Sequence, residues 1–334
     1  MNKIRIVAFS AKAYEQDFLK QATNENISFT FYDVALSSST ATLAKGFQVV
    51  SAFVNDVINS DTLKILADNG TKLIALRCTG VNNIDLHAAE KVGITVVNVP
   101  AYSPYAVAEH TITLMLALSR KLPRSYNRVR DGNFSLDGLL GFDFYQKKVG
   151  LIGGGRIGQL VGERLKAFGC TISVADPHNT ETCEALGFNV TTLDEVISQS
   201  DIISLHCPLL EDTKHIINSQ TIALMKQGVM LINTSRGGLI DTSAVLAALK
   251  ARHIAYLGID VYEQEGTLFF EDHSTEIIQD DVFQRLLTLP NVIITGHQAY
   301  FTKEALRHIS ETTIANITSF INDEKLINKV KARK

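Results

Sequence analysis

The chain has 334 residues, about two average domains' worth, and 46% of them are hydrophobic against 20% charged, which excludes a globally disordered protein. Its 32 Lys and Arg against 35 Asp and Glu leave a net charge of −3, so it lacks the basic footprint that a nucleic-acid partner requires.

Short β-branched runs alternate with helical patterns along the chain, which predicts α/β architecture with parallel sheets covered on both faces. A first series of strands is read near Ile4–Ser10, Ser28–Asp33, Val49–Val54, Leu73–Cys78 and Thr95–Val99. A second series starts at Val149–Ile152 and continues through Thr171–Asp176, Ile202–Cys207, Val229–Asn233, Ala255–Val261 and Val292–Thr295. Two such series predict two Rossmann-like, doubly wound parallel-sheet domains. Long helical patterns at Tyr105–Leu118 and Lys303–Ile321 lie near the two places where the chain would pass between them. The second helix has two homes open to it, the domain it follows or the domain at the other end of the chain. Two crossings would form a hinge, with the active site in the cleft between the domains. The acidic segment 265–281 reads as an inserted loop or short helix, and the basic end 331–334 as a solvated tail.

The four cysteines, Cys78, Cys170, Cys183 and Cys207, form no C-x-x-C and no regular framework, so reduced thiols, no metal site and a cytoplasmic location are expected. No uncharged apolar stretch approaches membrane-span length. The apolar run after Lys3 and Arg5, Ile6–Ala11, is cut by Lys12, too short for a signal peptide.

A strand ending at Ile152 runs into Gly153-Gly154-Gly155-Arg156-Ile157-Gly158 and then an amphipathic helix. Gly153, Gly155 and Gly158 therefore match the dinucleotide fingerprint in its proper strand–turn–helix context. The first glycine permits the turn, the second lets a pyrophosphate approach the backbone, and the third lets helix and strand pack closely. Asp176, at the end of the next strand, is placed to accept hydrogen bonds from the ribose hydroxyls and to repel a 2′-phosphate. That selects NAD over NADP as cofactor.

Ligands of such sheets sit beyond the carboxyl ends of the strands. That edge adds Cys207 and Pro208, then Thr234, Ser235 and Arg236, and Asp260 as candidates, and Gly237-Gly238 reads as room for a ligand or as a simple turn. Reduction of a carbonyl needs a proton donor, and only His206 and His297 fall at the carboxyl end of a predicted strand. His297 is the better placed, with Glu263 or Glu265 available as its carboxylate partner. Arg236 offers a planar fork for a substrate carboxylate, which lysine cannot copy.

Asn233-Thr234-Ser235-Arg236-Gly237, Asp260-Val261-Tyr262-Glu263-Gln264-Glu265 and Thr295-Gly296-His297-Gln298-Ala299 resemble the three signatures of the D-2-hydroxyacid dehydrogenase family. Leu76 to Asn83, Ala101-Tyr102-Ser103-Pro104 and Phe269-Phe270-Glu271-Asp272 resemble the fermentative NAD-dependent D-lactate dehydrogenases within it. The resemblance implies a catalytic set of Arg236, Glu265 and His297, with Glu265 rather than Glu263 holding His297. It implies cofactor contacts at Arg156, Ile157, Asp176, Cys207, Pro208, Thr234, Ser235, Arg236 and Asp260. Substrate contacts fall on Cys78, Thr79, Gly80, Tyr102 and Tyr300 besides Arg236 and His297.

It further implies a discontinuous substrate-binding domain from residues 1–100 and 300–334, an NAD-binding domain over 101–299, and a homodimer or homotetramer formed through the latter. The expected reaction is NADH-dependent reduction of a small 2-keto acid, pyruvate, to D-lactate. A relative acting on a bulkier 2-keto acid or hydroxypyruvate, or a non-enzymatic NAD-sensing corepressor of the same architecture, are the alternatives. Two positions depart from some relatives: Thr213 stands where an asparagine is found, and Phe53 where a tyrosine is found.

Overall fold

The computed structural model describes residues 4–23 and 25–332. Lys3, Arg333 and Lys334, to which the readings of the two chain ends extend, lie outside the described residues. The chain divides into two compact units, Met1–Ser103 with Phe301–Lys334, and Pro104–Tyr300.

The first unit holds β1 (Ile4–Ala8), α1 (Ala13–Ala22), β2 (Ile27–Phe31), β3 (Val49–Ala52), α2 (Ser60–Asp68), β4 (Leu73–Leu76), α3 (Leu86–Lys91) and β5 (Thr95–Val97). The five strands form one parallel sheet in the order β2-β1-β3-β4-β5. Because successive strand residues point to opposite faces, each neighbouring pair splits between two cores. Val7, Val50 and Ile74 join Leu63 and Leu66 of α2. Ile6, Val49 and Leu73 instead join Ile314 and Ile317 of the last helix, Lys303–Ile321, which is numbered α12 below. The last helix therefore belongs with the first unit, the second of the two homes open to it. Thr302 caps it by accepting a bond from Ala305 N–H. β1 ends two residues before the expected Ser10 because Ser10 takes a left-handed backbone, φ +48°, which breaks the extended run.

The second unit begins with α4 (Pro104–Ser119) and α5 (Leu122–Arg130). It continues through β6 (Lys148–Ile152), α6 (Arg156–Ala167), β7 (Thr171–Ala175), α7 (Thr180–Ala185), β8 (Asn189–Val190), α8 (Leu193–Gln199) and β9 (Ile202–Leu205). It closes with α9 (Ser219–Leu224), β10 (Val229–Asn233), α10 (Thr242–Lys250), β11 (Ile254–Ile259), α11 (Asp281–Leu287) and β12 (Val292–Ile294). Seven parallel strands run in the order β12-β11-β10-β9-β6-β7-β8. Chain order reverses at β6, whose neighbours are β9 and β7, and this switch point is where open sheets of this kind leave a crevice. Alternation again serves two cores: Met230 and Ile232 pack under Ile112 and Met115 of α4, while Leu231 packs against Val245 and Leu249 of α10.

Strand β8 was not legible in the sequence, since two residues at a sheet edge carry no alternation to read. Segment 265–281 is a 3₁₀ turn at Glu265–Thr267 followed by irregular chain. It is organised around Tyr262, Phe269 and Phe283, and the Tyr262 hydroxyl donates to Asp280 Oδ2 at 2.6 Å.

Candidate active site

The glycines after β6 show which positions are structural and which are open. A Cβ on Gly153 would lie 2.5 Å from Cys207 N, and the residue has φ +105°, so only glycine makes this turn. A Cβ on Gly158 would lie 2.2 Å from the Gly153 carbonyl oxygen, so the first turn of α6 packs directly on the loop. Gly155, the N-cap of α6, has nothing within 4 Å of its Cβ position. The loop thus leaves open the position where a pyrophosphate would approach the backbone N–H groups and the positive end of the helix. The residues present fit a dinucleotide.

Asp176 follows β7. Its Oδ1 accepts bonds from the backbone N–H groups of His178 and Asn179 and from Asn179 Nδ2, and its Oδ2 accepts one from Gly154 N–H. Oδ1 is fully used, whereas Oδ2 accepts a single bond among the described residues and keeps capacity for a ligand hydroxyl. Desolvation works against the charge, but the backbone N–H bonds together with the Asn179 side chain outweigh it and hold Asp176 below the ordinary carboxylate range. The residue is both a clamp on the glycine loop and a fixed negative charge at its rim.

Arg156 opens α6 and donates to the Tyr105 hydroxyl at 3.1 Å, with Ile157 half-buried behind it in the helix–sheet core. After β9, burial pushes the Cys207 thiol up to about 11, so Cys207 contributes shape rather than reactivity, while Pro208 is exposed. Ser235 Oγ donates to the Cys207 carbonyl at 2.7 Å and ties the loop after β10 to the loop after β9. The Thr213 hydroxyl closes the turn beyond them, donating to the Pro208 carbonyl at 2.6 Å and accepting from Leu210 N–H.

Three adjacent strands, β10, β11 and β12, deliver Arg236, Glu265 and His297 at their carboxyl ends. His297 Nδ1 lies 2.9 Å from Glu265 Oε1, and the other oxygen of Glu265 accepts from Tyr262 N–H at 2.9 Å, which fixes the carboxylate's direction. The two side chains are 13% and 23% exposed. Nε2 of His297 has no hydrogen-bond partner among the described residues, and the Phe270 ring is centred 5.7 Å from the imidazole. Arg236 donates from Nη1 to its neighbour's carbonyl, Ser235 O, at 2.7 Å, and no carboxylate pairs with it among the described residues. A half-buried guanidinium with no carboxylate partner among the described residues, on the sheet edge that also carries the His297–Glu265 pair, is a site for an anion.

The open alternatives resolve on geometry. Glu263 is taken by His215 Nε2 at 2.5 Å and by the Thr242 hydroxyl, so it is not the partner of His297. His206 bonds Ser204 Oγ at 2.9 Å, and desolvation pushes it down to about 4, which leaves it neutral and unfit as a proton donor near neutral pH. Gly237-Gly238 leaves no room for a ligand: a Cβ on Gly237 would meet the Tyr262 backbone at 2.1 Å, and one on Gly238 would meet the Leu209 side chain at 3.0 Å. The first is glycine because the loops carrying Arg236 and Glu265 touch there.

Asp260 is fully buried. Its Oδ1 accepts from the Thr295 hydroxyl and Gln298 N–H, and its Oδ2 from Ala299 N–H, so its carboxylate is spent on the loop that carries His297. Thr234 is likewise buried and bonded to Thr111 of α4 at 2.8 Å. Tyr300 is 7% exposed.

In the first unit, Cys78 Sγ lies 3.3 Å from the Gly80 carbonyl, the Thr79 hydroxyl donates to Val99 O, and Tyr102 is half-buried. The residue before this loop was missed as a support. Arg77 is wholly buried, donating to Glu15 Oε1 and to Phe9 O at 2.7 Å each and to Ser51 Oγ at 3.1 Å, and so it locks the ends of three strands beneath residues 78–80. A cation following the apolar strand Leu73–Leu76 was the available signal.

Residues 112–299 match the model for the D-isomer specific 2-hydroxyacid dehydrogenase NAD binding domain. A D-lactate dehydrogenase of Curvularia clavata is 50% identical over 94% of this chain and 91% of its own. The solved pyruvate reductase of Chlamydomonas reinhardtii is 44% identical with a TM-score of 0.92, covering 98% of each chain. The Aquifex aeolicus D-lactate dehydrogenase solved with NAD and lactic acid is 35% identical with a TM-score of 0.88, covering 98% of this chain and all of that one. Fold, loop chemistry and these likenesses agree: the chain belongs to the D-isomer-specific 2-hydroxyacid dehydrogenases, oxidoreductases that use NAD.

Proposed function

We propose that this protein reduces pyruvate to D-lactate with NADH, reversibly, with His297 as acid/base. The observation that carries the reading is the His297–Glu265 pair at 2.9 Å, on the same sheet edge as Arg236; among the described residues, Nε2 of His297 has no partner and Arg236 has no carboxylate. The nicotinamide, when bound, supplies the hydride. His297 gives its Nε2 proton to the keto oxygen as the carbon is reduced, and takes it back in the oxidation direction. Glu265 fixes the ring's orientation through Nδ1, which leaves Nε2 for the substrate. Arg236 takes the substrate carboxylate in two parallel bonds and stabilises negative charge developing on the oxygen.

Gly153, Gly155, Arg156, Ile157 and Gly158 hold the pyrophosphate, Asp176 the ribose, and Cys207, Pro208, Thr234 and Ser235 the nicotinamide half. In this reading Cys78, Thr79, Gly80, Tyr102 and Tyr300 also contact substrate. The choice of pyruvate follows the names of the relatives, and a panel of pyruvate, hydroxypyruvate, 2-ketobutyrate and 2-ketoisocaproate, followed by NADH absorbance, tests it. The highest kcat/KM is expected for pyruvate; a preference for 2-ketoisocaproate would refute that substrate while leaving the family intact.

The substrate-binding role falls to the first unit and the NAD-binding role to the second. A homodimer or homotetramer through the NAD-binding unit is supported by a run of exposed apolar side chains: Tyr126 and Val129 on α5, then Phe134, Leu136 and Leu140, the last three 74–86% exposed. Light scattering of the purified protein tests it, and a monomer would refute it. Four buried cysteines without a disulfide support work in a reducing compartment, the cytoplasm.

A further inference from the structure

A second histidine lies behind the first. His110, on α4, is 185 residues from Thr295, yet its Nε2 is 3.0 Å from Thr295 Oγ1 and 3.5 Å from Asp260 Oδ1. The Thr295 hydroxyl donates its one proton to Asp260 Oδ1 at 2.5 Å. It can therefore only accept from His110, which fixes the proton of that imidazole on Nε2. Asp260 in turn receives Gln298 and Ala299 N–H on its carboxylate and His297 N–H on its main-chain oxygen at 2.7 Å. Those bonds bracket His297, whose φ of +53° is a conformation that a non-glycine residue holds only when its surroundings impose it.

Resting on the reading of His297 as the acid/base, we propose that His110 is a positioning residue for it, acting through Thr295 and Asp260. The neighbouring Thr111 makes the parallel link, bonding Thr234 at 2.8 Å on the strand end that leads to Arg236. One turn of α4 thereby holds both loops that carry the reacting groups. Removing His110 leaves the Thr295 hydroxyl without a donor and loosens the bracket around His297, while no hydrogen bond among the described residues ties His110 to the glycine loop or to Asp176.

The test compares His110→Leu, His110→Gln, Thr295→Val and His297→Gln in the full chain. Each is measured for kcat and KM with pyruvate, for NADH affinity by fluorescence, and for Tm. Misplacement of a reacting group by a fraction of an ångström predicts that His110→Leu lowers kcat about 10- to 100-fold. KM and NADH affinity should stay within about twofold of wild type. His110→Gln, which keeps an N–H at that reach, should recover most of the rate. Thr295→Val should reproduce the His110→Leu loss, and the double variant should lose no more than either alone.

Wild-type kcat in His110→Leu, with His297→Gln inactive, overturns this inference and leaves the acid/base reading standing. An active His297→Gln overturns both. Equal losses in His110→Leu and His110→Gln, with NADH affinity falling in step, overturn the positioning role in favour of general damage to the fold.

Discussion

Nδ1 of His297 and Oε1 of Glu265 are 2.9 Å apart across 32 residues of sequence, joined because β11 and β12 are parallel neighbours that release both side chains at the same sheet edge. Glu265 is held from behind by Tyr262 N–H, so the pair is preorganised. Replacing His297 with glutamine should lower kcat for pyruvate reduction by roughly 10²- to 10⁴-fold, the usual worth of general acid catalysis, with NADH affinity preserved. Glu265→Gln should lose less than His297→Gln but at least about tenfold, because the ring keeps a hydrogen bond and loses the charge. Steady-state kinetics decide it, and a Glu265→Gln enzyme at wild-type turnover would remove Glu265 from the mechanism.

Among the described residues, Arg236 makes one side-chain bond, to its neighbour's carbonyl, so most of its donors have no acceptor there. Lysine keeps the charge and loses the fork. Arg236→Lys is expected to raise KM for the keto acid and to lower kcat as well, because the same guanidinium stabilises charge that develops only in the transition state. A rise in KM with kcat unchanged would restrict Arg236 to substrate binding.

The glycine loop offers a paired test. Gly155→Ala places a methyl where nothing lies within 4 Å, so Tm should hardly change while NADH binding weakens by at least about tenfold through a blocked approach to the backbone. Gly158→Ala drives its methyl to 2.2 Å from the Gly153 carbonyl and should lower Tm as well. Undiminished NADH affinity in Gly155→Ala would mean the dinucleotide does not lie along this loop.

Desolvation lowers His206 from 6.5 to about 4, so the fold favours the neutral ring. The unfolded chain therefore binds a proton first as pH falls. The stability contributed by the neutral ring is full above pH 6.5 and is lost as pH drops toward 4, amounting to about 3 kcal/mol across that window. Thermal melts over this range should show a shallower loss of stability in His206→Asn than in the wild type. Parallel curves would show that His206 is not the group responsible.

The sequence carried most of this arrangement because its signals are local. Gly153 to Gly158 sit between a strand and a helix, and Arg236, Asp260 and His297 each follow a β-branched run, so the sheet edge could be read without coordinates. What it could not carry is direction. Glu263 and Glu265 are equivalent by spacing, and only the bonds from His215 and Thr242 to Glu263 separate them. Gly237 reads as an opening and is in fact a contact with Tyr262, because a missing side chain does not say what fills its place. Glu109, His110, Thr111 and Thr113 interrupt a largely apolar helix, and nothing in that run says that His110 and Thr111 are the ones with partners on the strand-end loops. Helix α5 and the exposed apolar run after it went unread because their apolar residues face away from any core of this chain.

The most direct test follows NADH absorbance at neutral pH with purified protein and pyruvate, and identifies the product enantiomer by chiral chromatography. Rapid, stoichiometric NADH oxidation yielding D-lactate, abolished in His297→Gln, is the result this account predicts. Tight NADH binding with no oxidation by any 2-keto acid, or L-lactate as product, would contradict it.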